Sequence, residues 1–210
     1  LTNSYDERNM QPFNQISVVG LGYIGLPTAS MFALAGVKTI GVDVDPKIVH
    51  AINDGKIHFV EDGLEPIVRS IVKQGVLRAS DKVESSDAFI IAVPTPISAD
   101  KIPNLSYVKS AAESISHALQ PGNLIVLEST SPVGTTEKLV DWLQDLRPDL
   151  NFPRQGCDEH NIYVAYCPER VLPGKVITEL KANDRVIGGI TATCSHRAKE
   201  LYSIFVEGHC

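Results

Sequence analysis

The sequence has few features of an exported, membrane-bound or nucleic-acid-binding protein. Four cysteines (Cys157, Cys167, Cys194 and Cys210) stand among 210 residues with no C-x-x-C pair, too few and too scattered for a disulfide framework, and reduced thiols are expected. The longest wholly apolar run covers only residues 88–93, against about 20 residues needed to span a bilayer. The opening Leu1-Thr2-Asn3-Ser4-Tyr5-Asp6-Glu7-Arg8 has no apolar stretch of the kind a signal peptide needs. A soluble, cytoplasmic chain with no membrane partner is therefore expected. Nor is there an excess of positive charge: 19 Lys and Arg against 25 Asp and Glu leave a net charge of −6, so the basic stripe required to track phosphates is missing and no nucleic-acid partner is expected. The histidines His50, His58, His117, His160 and His196 show no H-x-x-x-H or other ligand spacing, and no metal is predicted. The single tryptophan, Trp142, falls on the apolar side of a predicted helix and is read as core.

Short apolar runs alternate with amphipathic segments along most of the chain. Ile16-Ser17-Val18-Val19, Thr39-Ile40-Gly41-Val42, the run at 88–93, Leu124-Ile125-Val126-Leu127, Ile162-Tyr163-Val164-Ala165 and Arg185-Val186-Ile187-Gly188 are near-continuously apolar, as strands covered on both faces are. Between them the period becomes helical, as in Leu64, Ile67, Val68, Ile71 and in Val108, Ala111, Ala112, Ile115; a last such set is Ala198, Leu201, Tyr202, Phe205. Asp45-Pro46 forms an N-cap and first-turn pair, Pro66 suits a first turn, and Gly36, Gly75 and Pro148 stand where helices should stop. This alternation predicts an α/β fold: a doubly wound, mostly parallel, Rossmann-like sheet with helices on both faces. Residues 1–14 are polar and unpatterned, and a disordered or appended extension is expected there, with one domain over 15–210.

The first strand runs directly into Gly20-Leu21-Gly22-Tyr23-Ile24-Gly25 and then into the first helix. Gly20 makes the tight turn, Gly22 lets backbone approach a pyrophosphate, and Gly25 lets helix and strand pack closely, with the helix N-terminus facing the phosphates. Asp43 ends the second strand, 23 residues after Gly20, where a ribose-binding carboxylate belongs. A carboxylate there accepts from a 2′-hydroxyl and repels a 2′-phosphate, so NAD is favoured over NADP. The glycines alone also admit FAD. Asp45 adds negative charge to the same end or serves only as a helix cap.

Three more strand ends carry unusual chemistry. Val93-Pro94-Thr95-Pro96 cannot continue as ladder or helix. Glu128-Ser129-Thr130-Ser131-Pro132-Val133-Gly134-Thr135 supplies hydroxyls to the crevice, or is an ordinary turn with Thr135 as N-cap. Tyr166-Cys167-Pro168-Glu169-Arg170-Val171 sets a carboxylate beside an arginine, either a general base with a substrate anchor or a surface ion pair.

Taken together, in this order and spacing, Gly20 to Pro27, Asn53-Asp54-Gly55, Glu61-Asp62-Gly63-Leu64, Val93 to Pro96, Ser129 to Thr135 and Pro168-Glu169 resemble the UDP-glucose/GDP-mannose dehydrogenase family over 15–210. Within it, the segments around Glu128, Arg147-Pro148-Asp149-Leu150, Glu169 and Asn183-Asp184-Arg185-Val186-Ile187-Gly188-Gly189 are similar to the branch that acts on UDP-N-acetyl-D-mannosamine. The resemblance implies an NAD-dependent, four-electron oxidation of a UDP-sugar C6 alcohol through a cysteine thioester to a uronic acid, in polysaccharide synthesis, by a homo-oligomeric full-length enzyme. It assigns Gly20, Gly22, Tyr23, Ile24, Gly25, Asp43, Val93, Pro94, Thr95 and Thr130 to the cofactor. Thr130 and Glu169 become catalytic, Thr95 and Thr130 helping to place a water and Glu169 acting in thioester hydrolysis; Glu169, Arg170 and Val171 face the substrate. UDP-glucose enzymes commonly carry a second glutamate where this chain has Pro173, which favours the N-acetylmannosamine branch. The family's connecting helix, cysteine nucleophile and uridine-binding domain have no counterpart between Leu1 and Cys210. Gly208-His209-Cys210 mimics part of the nucleophile segment but directly follows the last predicted helix, so Cys210 is read as non-catalytic and the chain as a cofactor half, inactive alone. A hydroxyacid dehydrogenase or a non-catalytic NAD-binding module would share the glycine turn and Asp43 but has no need of the later segments.

Overall fold

The computed structural model describes residues 12–157 and 159–210, so the extension expected over 1–14 lies mostly outside the described residues. The chain then alternates: β1 (Gln15–Val19), α1 (Gly25–Leu34), β2 (Lys38–Val42), α2 (Pro46–Asn53), α3 (Leu64–Lys73), β3 (Leu77–Ser80) and β4 (Ala88–Ile91) come first. They are followed by α4 (Ser106–Ser116), β5 (Leu124–Leu127), α5 (Thr135–Leu146), β6 (Tyr163–Tyr166), α6 (Val176–Ala182), β7 (Gly188–Gly189) and α7 (Ala192–Tyr202).

The strands form one sheet in the order β3-β2-β1-β4-β5-β6-β7. All neighbours are parallel except β6 and β7, which are antiparallel. Winding reverses at β1, which lies between β2 and β4, and the carboxyl ends of strands at such a reversal form the ligand crevice of doubly wound sheets.

Side chains of a strand alternate between faces, and the two cores follow that period. Ile90, Leu124 and Val126 pack with residues of α1, α3, α6 and α7, whereas Phe89, Ile91, Ile125 and Leu127 pack with those of α4 and α5. All four residues of β4 are fully buried, each large side chain contributing roughly 1.5–3 kcal/mol relative to exposure. This explains the continuous apolar run that identified the strand.

Several local expectations require correction. β3 was not anticipated because its sequence, Leu-Arg-Ala-Ser, alternates buried and exposed positions at the sheet edge instead of forming an apolar run. α6 has only seven residues, too short for a helical period to show. The strand expected from Arg185 is reduced to Gly188–Gly189, and Arg185 itself turns inward, its side chain only 2% exposed. α7 ends at Tyr202, although Phe205 beyond it stays buried. Trp142 is only half-buried against the α4–α5 core. Gly134, with φ of 85°, caps α5, and Thr135 is its first residue, donating Oγ1 to the Pro132 carbonyl at 2.7 Å. Before β1, Phe13 already packs on the core with the Arg197 guanidinium 3.8 Å from its ring centroid.

Candidate cofactor and catalytic crevice

The glycine turn is built by close approach. Gly20 takes φ of 92° and donates its N–H to the Val42 carbonyl at 2.8 Å, joining the ends of β1 and β2. A Cβ on Gly20 would stand 2.7 Å from the Ala92 carbonyl oxygen, and one on Gly25 would stand 1.8 Å from the Gly20 carbonyl oxygen. A Cβ on Gly22 would meet nothing within 4 Å. Gly20 and Gly25 therefore serve the fold, while Gly22 faces open space that a phosphate can enter. No side chain caps the start of α1, which leaves its positive end to a ligand.

Asp43 is held in place by backbone. Its Oδ2 accepts from the Leu21 N–H and its Oδ1 from the Asp45 N–H, both at 2.9 Å. Each carboxylate oxygen retains a lone pair for a hydroxyl. Asp45 accepts from the Lys47 N–H at 2.8 Å as the N-cap of α2, which is the simpler of its two expected roles. Asp43 lines a pocket of about 500 Å³ with Gly20, Val42, Val83, Val93, Pro94 and Ala111 among its walls. This mostly apolar slot, with Asp43 at one side and Asp81 and Lys82 also on its wall, suits an adenosine.

Val93 and Pro94 also line a second pocket, of about 230 Å³, shared with Tyr23, Ile24, Thr95, Thr130, Glu128 and Glu169. The glycine turn and three strand ends expected to carry the site thus converge across the reversal point. Their loops are tied together: Thr95 Oγ1 donates to the Thr130 carbonyl at 2.6 Å, and Ser129 Oγ donates to the Val93 carbonyl at 2.7 Å. The Tyr23 ring stacks on Phe59 with centroids 4.4 Å apart.

Beneath this second pocket lies a charged cluster that sequence reading did not identify. Glu128 is buried at the end of β5; its Oε2 accepts from Thr28 Oγ1 and its Oε1 from Tyr202 Oη, both at 3.1 Å. The Arg185 Nη1 lies 3.3 Å from Glu128 Oε1 and 2.5 Å from Glu169 Oε2, with the guanidinium over the Tyr202 ring at 4.6 Å. Burial pushes the Glu128 carboxyl up to about 7 against the opposing pull of Arg185. Burial likewise raises the Glu169 carboxyl, again opposed by Arg185. Burial pushes the Cys167 thiol, beside the same group, up to about 12. The only sequence signals were a glutamate ending an apolar strand and an arginine opening another apolar run, and neither pattern names a partner.

Glu169 is thus neither half of an ion pair with Arg170 nor free. Its Oε1 accepts the Arg170 backbone N–H at 2.7 Å, and its charge partner is Arg185. The Arg170 side chain is exposed and reaches the Asp184 carbonyl at 3.5 Å, while Val171 packs toward the core. Neither lines the second pocket. Cys210 is half-buried, its thiol raised by burial, and all four cysteines are free.

Comparison with known proteins agrees with this geometry. Residues 14–206 match the model of the UDP-glucose/GDP-mannose dehydrogenase family, NAD binding domain. The UDP-N-acetyl-D-mannosamine dehydrogenase of Escherichia coli K12 is 55% identical over 198 residues, 94% of this chain and 47% of that protein. The NDP-N-acetyl-D-galactosaminuronic acid dehydrogenase of Ralstonia nicotianae is 56% identical over the same length, with the same coverage. The solved structure of the UDP-D-ManNAc dehydrogenase of Pyrococcus horikoshii superposes with a TM-score of 0.86 at 39% identity, covering 93% of this chain and 46% of that one. The chain spans about half the length of the curated relatives it matches. With its glycine turn, acid-ended second strand and reversal-point crevice, the chain belongs to the UDP-glucose/GDP-mannose dehydrogenase family, as its NAD binding domain.

Proposed function

We propose that this chain is the cofactor-binding half of a nucleotide-sugar 6-dehydrogenase that oxidises the C6 alcohol of UDP-N-acetyl-D-mannosamine to the uronic acid. The observation that carries this reading is the contiguity of the two pockets through Val93 and Pro94, with Asp43 in one and Thr130 and Glu169 in the other. A dinucleotide laid across them has its adenosine ribose at Asp43, its pyrophosphate at Gly22 and the start of α1, and its nicotinamide beside Thr95 and Thr130. NAD supplies the hydride acceptor for each two-electron step. The chain's own residues do the rest: Gly20 and Gly25 shape the turn, Tyr23 and Ile24 wall the nicotinamide end, and Thr130 and Glu169 hold and deprotonate the water that releases the acid. Arg170 and Val171 belong to the substrate side on this reading.

The proposed domain covers 15–210, within a homo-oligomeric cytoplasmic enzyme that acts on a UDP-sugar. No helix among the described residues is long and apolar enough to cross a membrane. A second reading, a galacto-configured sugar, is favoured by the relative from Ralstonia, whose identity of 56% stands beside 55% for the mannosamine enzyme of Escherichia coli. Calorimetry on this chain should show NAD binding more tightly than NADP, with Asp43→Ala weakening NAD about 10–100-fold through lost charge-assisted hydrogen bonds. Equal affinities for the two dinucleotides would remove the electrostatic basis for NAD. The complete enzyme should form NADH with UDP-N-acetyl-D-mannosamine and respond poorly to UDP-glucose. Preference for UDP-N-acetyl-D-galactosamine would install the second reading. This chain alone should bind NAD without sustained NADH production.

A further inference from the structure

Two carboxylates converge on one buried guanidinium behind the second pocket. Glu128 comes from the end of β5, Glu169 from the loop after β6, and Arg185 from the extended segment before β7. All three side chains are almost fully buried, at 0%, 5% and 2% exposure. Both residues border the second pocket, so the cluster joins the protein interior to the crevice. A single nitrogen, Nη1, faces Glu128 Oε1 and Glu169 Oε2. The other arm of the guanidinium points to the Leu180 carbonyl at 3.5 Å, and its face lies over Tyr202 and Phe205.

We propose that Arg185 is a positioning residue, held from behind by Glu128, that fixes the Glu169 carboxylate at the crevice wall and couples the protonation of the two glutamates. The proposal rests on the reading of Glu169 as the group that acts on water. One cation cannot neutralise two carboxylates, so the cluster carries a net negative charge when both are ionised. In a buried site that charge is costly, and the pair takes up one proton first. Glu128 is the more enclosed of the two, and its burial outweighs the hydrogen bonds from Thr28 and Tyr202, which by themselves favour the ionised form. It stores that proton, which leaves Glu169 ionised and able to take a proton from water.

The groups facing the pair from each packed element are few. Around Glu128 stand Thr28 of α1, Cys167 after β6, Tyr202 of α7 and Arg185. Around Glu169 stand Arg185, the Arg170 backbone N–H and side-chain charge, and Glu179 of α6. Tyr202 and Cys167 are both raised by burial and stay protonated through neutral pH. Coupling across neutral pH is therefore a matter for the two glutamates and the arginine between them.

Carbon-detected NMR of glutamate-labelled protein tests this on the chain itself, with signals assigned through Glu128→Gln and Glu169→Gln. Glu169→Gln removes the neighbouring negative charge without changing shape and should lower the Glu128 midpoint by about half a pH unit or more. Arg185→Met should raise it by about one pH unit or more, and Arg185→Lys should restore part of that change. Should Arg185→Met not fold, the decision passes to Glu169→Gln alone. A Glu128 midpoint that stays put in folded Glu169→Gln protein overturns the proposal. Turnover of the complete enzyme keeps the two ideas apart: full activity in Glu169→Gln would refute the water-activating role while leaving the measured coupling intact. With that role retained, Arg185→Lys should move the acid limb of the pH–rate profile and leave KM for the UDP-sugar unchanged. An unmoved limb would overturn the positioning role.

Discussion

At one end of the crevice Asp43 is held by two backbone N–H groups, those of Leu21 and Asp45, whereas at the other end Glu128 and Glu169 are held by side chains from distant parts of the chain. The first arrangement follows from neighbouring strands: β1 and β2 pair in register, and the residues after them meet because the ladder brings them together. The second joins residues 57, 74 and 100 positions from Glu128, through Arg185, Tyr202 and Thr28. The Asp43 end remains partly exposed and its carboxylate keeps capacity for a ligand, while at the buried Glu128 end two carboxylates share one cation. One end is thus an open carboxylate that backbone geometry almost guarantees; the other is a charged core that depends on every member being present.

The sharpest way to break that comparison is to remove the shared cation. Arg185→Met leaves two buried carboxylates facing each other and should cost about 3–5 kcal/mol in urea unfolding. Arg147→Met, which removes the pair with exposed Asp149 and the hydrogen bonds to the Ser116 and Leu119 carbonyls, should cost less, because water screens that pair. A loss below about 1 kcal/mol in Arg185→Met would show that the cluster is not a buried ion network.

Next in size is a pH effect confined to the buried end. The Glu128 carboxyl is raised from 4.5 to about 7 in the folded protein, so the folded state holds a proton that the unfolded state has released. Its stabilising contribution, ~3 kcal/mol at most, is complete below the unfolded value near 4.5 and is lost as pH rises through about 7. Urea midpoints should therefore fall for wild type between pH 5 and 7.5 by more than they do for Glu128→Gln. Equal slopes in the two proteins would place an ionised Glu128 in the native state throughout.

The glycine turn separates structural from ligand-facing roles at the other end. Gly25→Ala sets a Cβ against the Gly20 carbonyl and should cost about 1–3 kcal/mol. Gly22→Ala enters open space and should stay within about 0.5 kcal/mol of wild type, yet weaken NAD. The larger Gly22→Val should abolish binding in a folded domain, as judged by calorimetry and circular dichroism. Retained NAD binding in Gly22→Val would mean that the pyrophosphate lies elsewhere.

The smallest effect belongs to Asp45. Asp45→Ala removes the cap on α2 and should cost about 1 kcal/mol in thermal or urea unfolding, with NAD affinity little changed. A large loss of NAD affinity would give Asp45 the recognition role and weaken the distinction drawn for Asp43.

Much of the fold was legible because β1, β2, β4, β5 and β6 are buried on both faces and so read as apolar runs, while the longer helices between them show a one-sided apolar period. β3 escaped because an edge strand needs only alternate burial, and α6 because seven residues make too few turns for a period. The site divided in the same way. Gly20, Gly22, Gly25 and Asp43 announce themselves because a phosphate-binding turn requires particular backbone geometry at particular spacing. Thr95, Thr130 and Glu169 were marked by strand ends and by family resemblance, and the structure gathers them around one pocket.

What the sequence determined by itself was therefore whatever depends on local covalent and steric rules: strand–helix alternation, helix ends, the glycine turn and the acid that follows it. Tertiary structure alone decided that Arg185 turns inward from a short apolar run, that it pairs with Glu169 instead of leaving that acid to Arg170, and that Glu128 lies buried behind both. A charge carries no directional signal in sequence. Its partner is chosen by which elements the sheet order brings together, and the stability of the choice comes from the low-dielectric interior that only the complete fold creates.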